Sequence, residues 1–113
     1  MGSNPEPQNY PSWLAREERT AHRVAVSWEA TICSPTLEDA ACRILDITHL
    51  GCRLSSEHPP RTGTLVTVAI PEFAGITGWI AWRSNGEVGI DFAHPMPTAV
   101  LDEIVRRNGA LPH

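Results

Sequence analysis

Two arginines four residues apart, Arg19 and Arg23, stand in REERTAHRV, and a carboxylate, a hydroxyl and a glycine (Asp46, Thr48 and Gly51) follow in DITHLG. The arginine fork can grip a phosphate or a guanine edge through two parallel bonds, which an ammonium cannot. If the segment around Arg19 turns, both forks converge on one side. If it is extended, they reach for points roughly 13 Å apart, at about 3.3 Å per residue. Either geometry suits a ligand bearing two phosphates. The Asp46 carboxylate can accept the adjacent ring N–H and amino N–H of a guanine, and the Thr48 hydroxyl can donate or accept beside it. Each motif alone also has a plain structural reading. The arginines could pair with Glu17, Glu18 or Asp46, and Asp46 could bond its own backbone at a strand end.

The elements that must hold these groups are mostly strands. In RVAVSWEATIC, Val24, Val26, Trp28, Ala30 and Ile32 alternate with Ala25, Ser27, Glu29 and Thr31, the period of one long half-buried strand. SPTLED reads as a turn, after which AACRILDIT and CRLSS are two short strands bridged at HLG. Period two then puts Asp46 and Thr48 on one face, free to bind, and Leu45 and Ile47 on the other as an apolar anchor. Gly51 is expected to take a positive φ and to let backbone approach a ligand closely. TLVTVAIP is a further strand with Leu65, Val66, Val68 and Ile70 apolar. GITGWIAW, the turn RSNGE and VGIDFA form a hairpin in which Ile76, Gly78, Ile80 and Trp82 share a face, as do Val88, Ile90 and Phe92. PTAVLDEIVRRNGALP changes period: Val100, Leu101, Ile104 and Val105 recur at helical spacing, Asp102 and Glu103 come early, Arg106 and Arg107 late, and Asn108-Gly109 is a stop. The sum is a mostly β protein, a six-stranded antiparallel barrel with a C-terminal helix that closes one open end. Residues 1 to about 15, rich in Pro, Asn and Ser, read as a flexible arm, and residues 16–110 as a single domain.

Composition narrows the partners. The 113 residues suit one domain, and the charge of −4, with nine arginines and no lysine, argues against coating a polynucleotide. A small, defined anion matches better. The isolated Arg43, Arg53, Arg61 and Arg83 read as ordinary arginine usage. Cys33, Cys42 and Cys52 are an odd set without CxxC spacing, and with His49 they match no metal motif, so they read as small buried hydrophobes with no metal and no cofactor. No apolar stretch approaches the roughly twenty residues of a membrane span, and no leader is evident, so a reducing, cytoplasmic setting is expected. Catalysis needs a nucleophile, a base and an orienting group together, whereas the histidines are scattered, with His22 and His49 read as solvated loop residues beside the proposed site. No enzyme is expected.

RTAHRV, DITHLG and ITGWIAWRSNGEVGIDF together resemble the PilZ domain family, whose signature is RxxxR, then (D/N)xSxxG, then a closing hairpin with a tryptophan and a GxxF-like end. The resemblance runs from about residue 16 to 108. It implies a six-stranded PilZ-type barrel with a C-terminal helix, and a receptor for the bacterial messenger cyclic di-GMP. By position, Arg19 and Arg23 resemble the arginines that grip phosphate and guanine, and Asp46, Thr48 and Gly51 fill the second motif. Trp82 stands where some members place an aromatic near the ligand, against a core role suggested by Ile76 and Ile80 on its face. Arg16 and His22 are accessory. Thr48 replaces the usual serine, and its extra methyl and stiffer χ1 are expected to crowd the base and lower affinity. Glu18 stands where a further arginine goes with capture of a two-molecule form, so one ligand per domain is expected. Lacking an attached output domain, the chain is expected to signal by moving its arm against a separate downstream protein. The alternative is an adaptor that keeps the barrel without the ligand.

Overall fold

The alternation that begins after Arg23 becomes the first of six strands. The computed structural model describes residues 23–111, so Arg16, Arg19, His22 and the expected arm lie outside the described residues. The strands are β1 (Val24–Ser34), β2 (Leu37–Ile47), β3 (Gly51–Ser55), β4 (Leu65–Ala69), β5 (Ile76–Ser84) and β6 (Glu87–Phe92), followed by helix α1 (Thr98–Asn108). All strand pairs are antiparallel, and they close into a barrel in the order β1-β2-β3-β6-β5-β4. This is the mostly β, six-stranded architecture expected from the sequence.

Apolar alternation fills the barrel. Val26, Trp28, Ala30 and Ile32 of β1 face the core, joined by Ile44, Ile47, Leu54, Val66, Val68, Ile80, Val88 and Ile90. Burying a side chain of this size is worth about 1.5–3 kcal/mol, so this cluster supplies the main drive for closure. Asn85 and Gly86 both have positive φ, 55° and 78°, the geometry that a two-residue turn needs to match the twist of β5 and β6.

Three local expectations change. The turn between β1 and β2 is only Pro35-Thr36, and β2 already begins at Leu37. Gly51 is the first residue of β3, paired with Asp91, and among the described residues the glycines with positive φ are Gly63, Gly86 and Gly109. A register shift between Ile44 and Asp46 makes Leu45 an extra residue in β2, so Ile44 and Ile47, not Leu45 and Ile47, carry the anchor.

Helix α1 begins at Pro97, whose carbonyl accepts from Val100 and Leu101, and ends at Gly109, with φ 86° and its N–H on the Val105 carbonyl. Leu101 and Ile104 join the core, while Val100 is exposed. The helix is pinned at both ends. Met96 N–H donates to His49 O at 2.7 Å, Trp28 Nε1 donates to Gly109 O at 2.7 Å, and Leu111 N–H donates to Ala25 O at 2.8 Å. No helix among the described residues is long and apolar enough to cross a membrane.

Candidate functional site

Strand register decides which side chains meet. Val24 is paired with Ile47, so Arg23, one residue outside β1, lies level with Thr48 at the start of the β2–β3 turn. Arg23 and the β2–β3 turn therefore lie at the same end of the barrel, on neighbouring strands. Along the outer face, Asp46 of β2 pairs with Arg53 of β3, Arg53 with Gly89 of β6, and Gly89 with Trp82 of β5. Side chains paired in an antiparallel ladder share a face, and the flanking Cys52, Leu54, Val88 and Ile90 are in the core, so this row points away from it.

Trp82 belongs to that row through a bulge. The register shifts between Ile80 and Trp82, so Ala81 and Trp82 together oppose Gly89, and the alternation that would have put Trp82 beside Ile80 is broken. The indole lies across Gly89, where a side chain would overlap it. Trp82 is buried, yet it is absent from the core cluster that holds Ile80. The shared face of Ile76, Ile80 and Trp82 inferred from period two is corrected accordingly.

The Asp46 carboxylate is on the expected face but is not open. Its side chain is 8% exposed, and Oδ2 accepts from Arg53 Nε at 2.9 Å and lies 2.8 Å from Arg53 Nη2 in the same ion pair. Arg53 Nη1 donates to Glu87 Oε1 at 3.0 Å, so one guanidinium bridges β2 and β6. Burial alone would lower the pKa of this guanidinium, but the two carboxylates more than reverse that and hold it above its ordinary value. Arg53 is the partner of Asp46 that the one-strand pattern overlooked. A signal was available: folding DITHLGCRL about its turn pairs Ile47 with Cys52 and hence Asp46 with Arg53.

Thr48 is more deeply enclosed, at 2% exposed. Its Oγ1 accepts from Leu50 N–H at 3.0 Å and from Gly51 N–H at 3.2 Å, and its own N–H donates to Gly51 O at 2.8 Å. The hydroxyl thus builds the turn, satisfying amides that would otherwise be hidden from water. Thr48→Val, nearly isosteric, is expected to cost about 1–2 kcal/mol, read as a lower urea midpoint, whereas Thr48→Ser stays within about 0.5 kcal/mol.

Two cavities open on the described barrel, the smaller of them beside this region. One of about 370 Å³ is lined by Val24, His49, Leu101, Val105 and Arg106, next to the entry of Arg23. A larger one of about 940 Å³ is lined by Ala30, Cys42, Ser56, Ile70 and Phe73, with Glu29, Glu57 and Glu72 against Arg43 alone. None of the motif residues lines the larger cavity, and its three acids oppose a doubly anionic ligand, so its size does not make it the site.

The thiols are poor nucleophiles. Burial pushes Cys42 up to about 11 from 9.0 and Cys52 higher still. At neutral pH Cys42 then holds about a hundredfold less thiolate than at its ordinary value. Iodoacetamide at pH 7.5 should leave both cysteines unmodified, as read by peptide mass spectrometry, until denaturant is added.

With this geometry, comparison with known families becomes specific. The model of the PilZ domain matches residues 17–107, most of the chain. The chain belongs to the PilZ domain family. PilZ domains are cyclic di-GMP receptor and adaptor modules, and they are binding domains. A search of curated protein sequences gave no match. In this PilZ domain the second motif is DITHLG, with its acid clasped by Arg53 and its hydroxyl committed to the turn. Among the described residues no group of three or more His, Cys, Asp and Glu side chains is arranged to hold a metal ion.

Proposed function

We propose that this PilZ domain binds one molecule of cyclic di-GMP at the barrel end where β1 begins and β2 turns into β3. Arg19 and Arg23 hold the phosphates and the oxygen-bearing guanine edge, and Asp46 takes the donor-bearing edge. Thr48 and Gly51 shape the turn beside the ligand, and Trp82, buried across Gly89, is accessory, backing the outer face beside Arg53. Arg16 and His22 are accessory. The observation that carries the reading is the register Val24–Ile47, which brings the residue after RxxxR level with the DITHLG turn. Ligand binding draws residues 1–15 over the barrel, and a separate protein reads the altered surface. The shift is limited to the ligand's differential affinity for the closed form.

A second reading has its own support. Asp46 and Thr48 are both engaged within the fold, as they would be in an adaptor that keeps the barrel and has no need of the ligand. Calorimetric titration of the full chain with cyclic di-GMP, with linear pGpG and GTP as controls, separates the two. Saturable binding at one ligand per chain, selective over both controls, supports the receptor; absence of any heat at high micromolar ligand leaves the adaptor.

A further inference from the structure

We propose that Arg53 is an internal competitor for the guanine edge, a latch on Asp46 that cyclic di-GMP must exchange out. The proposal rests on the receptor reading above and adds a residue outside both motifs. Arg53 sets two adjacent nitrogens against Asp46 Oδ2, Nε as a hydrogen bond at 2.9 Å and Nη2 as an ion-pair contact at 2.8 Å. A guanine presents the same kind of pair, a ring N–H beside an amino N–H, to a carboxylate. Both Arg53 contacts, the Nε hydrogen bond and the Nη2 ion-pair contact, fall on a single oxygen, Oδ2, so a base that needs both carboxylate oxygens cannot seat while Arg53 holds that one.

The fold also provides for the displaced group. Arg53 is already held by Glu87 through Nη1, and its side chain is 39% exposed, whereas that of Asp46 is 8% exposed. Arg53 can therefore let go of Asp46 and keep a carboxylate partner at the rim, while Asp46 exchanges one donor pair for another. A ligand that brings a single donor to Asp46 only replaces the one hydrogen bond that Arg53 gives it, whereas paired donors engage both oxygens and complete the exchange. The latch thus sets both the affinity and the requirement for paired donors.

The test is Arg53→Lys, which keeps a positive charge beside a doubly anionic ligand but loses the rigid two-pronged clasp. Titration of the full chain with cyclic di-GMP should show the variant binding about tenfold to a hundredfold more tightly than wild type, one charge-assisted bond being removed from the competition. Equal or weaker binding by a variant with wild-type melting temperature overturns the latch. A second measurement does not depend on the variant folding: in the NMR spectrum of the ¹⁵N-arginine-labelled wild-type chain, the Arg53 Nε–H signal should move on saturation with cyclic di-GMP, and a signal that stays in place overturns the proposal. If neither wild type nor variant binds, the receptor reading falls and the latch with it. If both bind with the same affinity, the latch alone falls.

Discussion

Gly89→Ala should lower the melting temperature by roughly 10–20 °C, the loss of about 2–3 kcal/mol in a domain of this size. A β-carbon at Gly89 would lie 2.5 Å from Cε2 and 2.7 Å from Cδ1 of Trp82, and closer still to Nε1. The clash involves the rigid body of an indole and not the tip of a flexible chain. The bulge at Ala81 fixes where the indole lies, and the fully buried Val88 and Ile90 on either side of Gly89 hold β6 in place, so neither partner can retreat cheaply. Circular dichroism measures the midpoint, and tryptophan fluorescence reports the displaced ring. A midpoint within about 2 °C of wild type would mean that Trp82 does not lie across β6 in solution.

Arg23→Ala should weaken cyclic di-GMP binding by roughly tenfold to a hundredfold and leave the melting temperature unchanged. A charge-assisted hydrogen bond is worth about 1.5–3 kcal/mol, which converts to that range. Arg23 is exposed at the outer end of β1, one residue before the ladder starts, so its side chain is no part of the core. The decisive comparison is calorimetric, with the melting curve as the control for folding. Identical dissociation constants for the two proteins would remove Arg23 from the site, and with it the argument from register.

The strands of the barrel were legible because their core residues recur at period two: Val26, Trp28, Ala30 and Ile32 are all buried as the pattern requires. Asn85-Gly86 marked the hairpin and Gly109 the helix end, since few residues other than glycine and asparagine tolerate a positive φ. The bulges were not legible. Whether Trp82 faces the same way as Ile80 depends on how β5 is paired with β6, a relation between strands that the alternation within either one does not encode. The same holds for Leu45 against Ile44.

The site shows the same division. The residue types of both motifs suggest a chemistry, and the β1–β2 register brings Arg23, the last residue of the first motif, level with the second. Their accessibility was the part that spacing could not supply. Asp46 was expected open and is closed over by Arg53, because an acid on the outer face of β2 finds a cation directly across the ladder on β3. Thr48 was expected to address a ligand, yet a buried turn has amides to satisfy and the nearest hydroxyl does so first.

The bond from Leu111 to Ala25 has a consequence for how copies of this protein behave toward one another. Strand β4 reaches β1 only at Thr31, Ile32 and Cys33, so the opening stretch of β1 would present a bare margin to any other chain seeking a partner. The residues after the helix hem that margin with a peptide amide of their own. Trimming them would cost little of the interior and would make the molecule sticky in concentrated solution, through its border and not through its oily centre.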